Sequence, residues 1–131
     1  MSTYNFEVSS ELPADPSTIY SAWMSSEGHS AMTGAAASVD PAIGGAFTAW
    51  DGYIEGRTLA LEPGRRIVQS WRTSEFTGEH SDSQIEVLLD ATSTGTLVTI
   101  KHTGVPADQL GYERGGWDDS YFAPMREYFG G

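Results

Sequence analysis

Between Ala35 and Pro106 the chain reads as strand-length runs broken by turn residues, and beyond Pro106 its apolar residues shift to helical spacing. The breaks are Gly44-Gly45, Asp51-Gly52, Glu62-Pro63-Gly64, Thr77-Gly78 and Ser93-Thr94-Gly95. The clearest runs are Ile67 to Thr73, Gln84 to Asp90 and Leu97 to Thr103, and their even punctuation predicts an antiparallel meander. Trp117, Tyr121, Phe122, Met125, Tyr128 and Phe129 then stand at i, i+4, i+5, i+8, i+11 and i+12. They form one apolar stripe opposite Asp118, Asp119, Arg126 and Glu127. Pro124 lies inside this helix and is expected to kink it, because proline removes one ladder bond and crowds the carbonyl four residues back. An antiparallel sheet with one apolar face has to cover it, and the last helix is the one element long enough. The expected class is α+β: a curved antiparallel sheet wrapped around a long C-terminal helix. Such a sheet leaves a gap at its open end, a natural ligand cavity.

The segment before the meander adds the remaining elements. Thr3 to Leu12 alternates, with Tyr4, Phe6 and Val8 on one face, and reads as an edge strand stopped by Pro13. Asp15 followed by Pro16 is an N-cap with a first-turn proline, and Ile19, Tyr20, Trp23 and Met24 follow at helical spacing. Ser25 or Ser26 can cap a second short helix that runs toward Met32 and ends at Gly34. Two short helices in a V thus link the first strand to the second, with about six further strands to follow. Asp51-Gly52 is expected to close a two-residue hairpin.

Composition narrows the setting. At 131 residues the chain is expected to form one domain over residues 1–131, large enough to remove about two thirds of its unfolded surface from water. It has no cysteine, which excludes disulfides, thiol nucleophiles and thiolate metal sites. Eighteen acidic side chains against seven basic ones give a net charge of −11. The six arginines are scattered apart from Arg65-Arg66, so no basic stripe exists for nucleic acid. Residues 1–5 carry no basic leader, and no stretch approaches the roughly 18 apolar residues of a spanning helix. These features predict a cytoplasmic protein that binds neither nucleic acid nor membrane.

One succession of residues carries a family resemblance. Gly44-Gly45-Ala46-Phe47, Asp51-Gly52, Ile54-Glu55-Gly56, Glu62-Pro63-Gly64-Arg65-Arg66-Ile67-Val68, Ser70-Trp71-Arg72 and Gly115-Gly116-Trp117 to Tyr121-Phe122 follow in order. Together they resemble the family of activators of heat-shock protein 90 ATPase homologues, within the START-like, helix-grip superfamily of ligand-binding proteins. The resemblance implies a single START-like domain with a hydrophobic cavity. It offers two functions: binding of a small apolar or amphipathic molecule, or docking on a chaperone whose ATPase cycle is modulated. In the eukaryotic activator such a domain is the C-terminal half of a two-domain protein, and this chain is too short for both halves.

The candidate site follows from the aromatic residues. Trp71 shares a strand face with Ile67 and Gln69, and Trp117, Tyr121 and Met125 lie on the stripe that meets the sheet. With Met32 and His102 they are the expected ligand-binding set, where rigid rings supply area and tyrosine a polar tip. His102 alternates onto the face of Val98 and Ile100; if that face is inward, it is either a polar anchor or general base, or a hydrogen-bonded structural histidine. His29 and His80 read as exposed loop histidines without metal-ligand spacing. Asp51, Glu62, Asp82 and Asp90 sit in or beside turns, and Glu55 and Arg57 share a strand face on which they could pair. No nucleophile elbow, phosphate loop or dinucleotide fingerprint is present. Some START-like relatives are cyclases or hydrolases, but this sequence predicts a non-enzyme with no metal and no cofactor, as a monomer or homodimer.

Overall fold

The computed structural model describes residues 2–109 and 111–130. Seven antiparallel strands form one sheet in the order β1-β7-β6-β5-β4-β3-β2. They are β1 (Thr3–Leu12), β2 (Ser38–Val39), β3 (Ala46–Ala49), β4 (Ile54–Glu62), β5 (Arg66–Thr73), β6 (Ser83–Ala91) and β7 (Thr96–Pro106). Helices α1 (Pro16–Trp23) and α2 (Ser26–Thr33) fill the connection between β1 and β2. A short 3-10 turn, Tyr112–Arg114, precedes the last helix. The α+β helix-grip architecture is present, with β1 at the edge.

Local chemistry explains the helix starts. The Asp15 carboxylate accepts the Thr18 N–H at 2.8 Å, and Pro16 occupies the first turn of α1, where no N–H is needed. Ser25 Oγ accepts the Gly28 N–H at 2.8 Å, and α2 closes on Gly34. Alternation then aims one face of the sheet inward. Phe6, His102, Ile85 and Gln69 form one cross-strand row, and Val8, Ile100, Val87 and Ile67 the next. Register shifts between Thr58 and Ala60 and between Tyr4 and Phe6 add local bend and twist. Ile19 and Trp23 of α1, Met32 of α2, and Trp117, Tyr121, Phe122 and Met125 of the last helix complete the buried core.

Three expectations are corrected. Ala49 pairs with Ile54, so the β3–β4 connection is a four-residue loop rather than a two-residue hairpin. Trp50, Asp51 and Gly52 all take positive φ, at 52°, 59° and 89°, and Asp51 ties the loop to Ala36 by accepting its N–H at 3.1 Å. Tyr128 stands outside the buried stripe with its side of the helix open to solvent; its ring meets only that of Phe129 among the described ring pairs. Arg57 donates to the Gly44 carbonyl at 3.0 Å, which gives its guanidinium a different partner from Glu55.

The last helix changes form shortly before Pro124. Residues 118–122 form a π-helical turn, in which the Ala123 N–H reaches back to the Asp118 carbonyl, and α3 (Ala123–Gly130) continues from there. The wider turn ends two residues ahead of Pro124, the residue that cannot donate. Among the described residues no helix is long and apolar enough to cross a membrane.

Candidate functional site

A cavity of about 620 Å³ lies between the sheet and the start of the last helix. Its wall is aromatic: Trp50 and Tyr53 from the β3–β4 loop, Trp71 from β5, Tyr112 from the 3-10 turn, and Trp117 and Tyr121 from the helix. Trp71 meets Tyr112 edge to face at 5.2 Å between ring centres, Trp117 lies 5.6 Å from Trp71, and Tyr121 4.9 Å from Trp117. Such offset and edge contacts hold the rings in fixed orientations, which suits a preformed pocket. Asp108, Gln109, Gly111 and Tyr112 line one side, and two of them are fastened by side-chain hydrogen bonds. Gln109 donates to the Glu75 carbonyl at 3.3 Å, and Tyr112 donates to Gln109 Oε1 at 3.3 Å.

Of the six expected ligand-binding residues, Trp71, Trp117 and Tyr121 line this cavity. His102, Met125 and Met32 are fully buried behind the wall, as core residues. The face of Val98, Ile100 and His102 is the inward one, so the alternatives for His102 can be weighed on geometry. Its Nδ1 accepts the Trp117 indole N–H at 3.2 Å, and its Nε2 lies 2.8 Å from Ser83 Oγ. Ser83 in turn donates to the Trp71 carbonyl at 2.7 Å. With Nδ1 accepting, Nε2 carries the proton and donates to Ser83. A serine activated by a histidine needs the reverse flow, hydroxyl proton to imidazole nitrogen. Burial pushes the His102 pKa from 6.5 down to about 3, so the ring stays neutral. Both ring nitrogens are thus engaged inside the protein, and Nδ1 holds the Trp117 indole of the cavity wall.

Residues 13–130 match the family model for the Activator of Hsp90 ATPase homolog 1-like protein. The chain belongs to that family. It is 28% identical over 115 residues to the human Activator of 90 kDa heat shock protein ATPase homolog 1, covering 88% of this chain and 34% of the human protein. It is 28% identical over 128 residues to the corresponding activator homolog of Dictyostelium discoideum, covering 97% of this chain and 33% of that protein. The chain therefore spans about a third of the length of these two curated relatives. The crystal structure of an HSP90 activator from Plasmodium falciparum superposes with a TM-score of 0.82 at 21% identity, over 96% of both chains. That likeness establishes a shared fold.

In this family member two further histidines depart from the expected loop exposure. His29 is buried on α2, donating from Nδ1 to the Trp23 carbonyl at 3.0 Å and accepting at Nε2 from the Tyr121 hydroxyl at 2.8 Å. Burial lowers its pKa, partly opposed by the Trp23 carbonyl, which favours the charged ring. Replacing Tyr121 by phenylalanine leaves that nitrogen buried without a donor, so about 1–3 kcal/mol of stability should disappear in urea unfolding. An unchanged midpoint would show that the hydroxyl contributes nothing there. His80 is also buried; Nδ1 accepts the Thr77 N–H at 3.0 Å, and Nε2 lies 3.2 Å from Oδ1 of Asp108, a cavity-lining residue.

Sequence reasoning missed Trp50, Tyr53 and Tyr112, which lie in turns where periodicity carries no information. The acidic turn residues also have jobs besides solvation: Asp82 pairs with Arg72 at 2.7 Å and Glu62 with Arg66 at 3.3 Å. Among the described residues no group of three or more His, Asp or Glu could hold a metal ion.

Proposed function

We propose that this protein binds a small apolar or amphipathic molecule between its sheet and its last helix, and that it does so without turning the molecule over. One observation carries the reading: a cavity of about 620 Å³ walled by six aromatic side chains, a volume typical of small-molecule sites. The Ser83–His102 pair supports the non-enzymatic part, since its protons run the wrong way for nucleophile activation. A thermal-shift screen over lipids and aromatic compounds tests it. A compound held at a hundred times its Kd adds about 2.7 kcal/mol to the native state, which raises the Tm of a domain this size by roughly 10 °C. If no compound shifts the transition, the cavity has no ligand-binding role among those classes and the reading falls.

A second reading is favoured by the curated relatives, whose names describe activation of a 90 kDa heat shock protein ATPase. On this reading the acidic domain docks on a chaperone and alters its ATPase cycle. Purified chaperone of that class should then hydrolyse ATP faster as the protein is added, with the effect weakening as salt rises because charged docking is screened. Neither binding nor a rate change at low salt would remove it.

A further inference from the structure

Building on the ligand-binding reading, we propose that the cavity selects an uncharged, flat aromatic molecule carrying a hydrogen-bond acceptor, with Ser120 as its donor and Glu75 and Asp108 excluding anions. Most polar groups of the wall are already committed. The Tyr121 hydroxyl donates to His29 at 2.8 Å, that of Tyr53 to Glu75, and that of Tyr112 to Gln109. Ser120 differs: it lines the cavity half-buried, and its hydroxyl has no hydrogen-bond partner among the described residues. A helical serine usually bonds back to the carbonyl one turn earlier. Ser30 and Thr33 do so on α2, at 2.7 and 3.0 Å. Ser120 instead stands inside the π-helical turn, a feature common at functional sites, which presents it at the cavity. Trp50 Nε1 also lacks an acceptor among the described residues, but it is buried, whereas Ser120 is half-exposed at the lining. An uncommitted, accessible donor calls for an acceptor on the ligand.

Charge sets the other half of the selection. Glu75 and Asp108 are exposed carboxylates on the cavity lining, and no described lining residue is Lys, Arg or His. An anionic occupant would therefore meet two carboxylates and no cationic side chain on the described lining, where the one nearby imidazole, His80, is already engaged by Asp108, on a chain whose net charge is −11. Fatty acids and other carboxylate amphiphiles are disfavoured on that ground, while the six rings favour stacking of a planar hydrocarbon frame.

Three matched probes separate these elements: 1-acetylpyrene, 1-ethylpyrene and 1-pyrenecarboxylate, followed by quenching of tryptophan emission. The ketone should bind about fivefold tighter than the hydrocarbon, the size of one added hydrogen bond. Ser120→Ala should equalise the two, and Ser120→Thr, which keeps the hydroxyl, should retain the preference. The carboxylate should bind at least about tenfold more weakly than the ketone at low salt, and Glu75→Gln with Asp108→Asn should recover most of that loss. Equal binding of ketone and hydrocarbon by the wild type, or a preference that survives Ser120→Ala, overturns the role of Ser120. A carboxylate that binds as well as the ketone overturns the charge selection. Those results leave ligand binding itself standing; if none of the three probes binds, this selectivity falls, while ligand binding is decided by the thermal-shift screen over lipids and aromatic compounds.

Discussion

Gly56→Ala is expected to remove about 3 kcal/mol or more of stability, through overpacking against a backbone that cannot give way, and to lower Tm by roughly 10 °C. A Cβ at this position would stand 1.9 Å from the Ser70 carbonyl oxygen and 2.8 Å from Cε1 of Phe47. Gly56 lies in β4 opposite Phe47 of β3, with β5 on its other side, so the methyl would press on both neighbours. The Ser70 oxygen belongs to the chain of β5 and cannot rotate away as a side chain would. Relief requires the strands to separate, and β3, β4 and their loop carry Trp50, Tyr53 and Ile54 of the cavity. Loss of any ligand-induced Tm shift should accompany the loss of stability. Gly78→Ala is the control, because a Cβ there meets nothing within 4 Å. Thermal unfolding of both variants decides the matter; equal, small shifts would show that β4 and β5 tolerate the separation.

The parts of this fold that were readable in the sequence are those whose cause is local. The Asp15-Pro16 start of α1, the Ser25 cap and Gly34 end of α2, and the alternation that puts Val98, Ile100 and His102 on one face depend on near neighbours along the chain; that this face is the inward one does not. The family resemblance rested on the same kind of pattern, and it agrees with a model match over residues 13–130. What failed needed distant partners. His29 and His80 looked like loop residues because Tyr121 and Asp108, which complete their hydrogen bonding, lie 92 and 28 residues further along the chain. The β3–β4 turn failed for a different reason. Asp51-Gly52 suggested the shortest loop, but the Asp51 bond to Ala36 and the positive φ of Trp50 belong to a longer one.

The candidate site divides along the same line. Helical spacing selected Trp117 and Tyr121, and strand alternation selected Trp71; all three line the cavity. The same spacing also selected Met125, and the end of α2 supplied Met32, yet both are core residues. Periodicity tells which face is buried, but not whether the buried space beyond it is filled. Whether a side chain meets an empty volume depends on residues outside the periodic elements, such as Tyr112, Gln109 and Asp108, which are placed by partners on other parts of the chain.

The neutral, buried state of His102 leads to a pH dependence that can be measured without knowing any ligand. In the unfolded chain its imidazole takes up a proton as pH falls through about 6.5, whereas the folded ring stays neutral until about pH 3. Between those values the unfolded state binds the extra proton, so acid favours unfolding. The contribution is fully present above pH 6.5 and is lost progressively toward pH 3, with about 2 kcal/mol gone between pH 7 and pH 5. His29, whose pKa is also lowered by burial, acts in the same direction. His102→Gln offers an amide oxygen to the Trp117 indole and an amide N–H to Ser83, so it preserves both hydrogen bonds without a titrating group. Its urea midpoint at pH 7 should lie modestly below that of the wild type, and its decline between pH 7 and pH 5 should be smaller by about 2 kcal/mol. The remaining decline belongs to His29 and to the early titration of carboxylates. Parallel declines in the two proteins would mean that folded His102 accepts a proton near pH 6. Its Nδ1 would then no longer be the acceptor that holds Trp117 in the cavity wall.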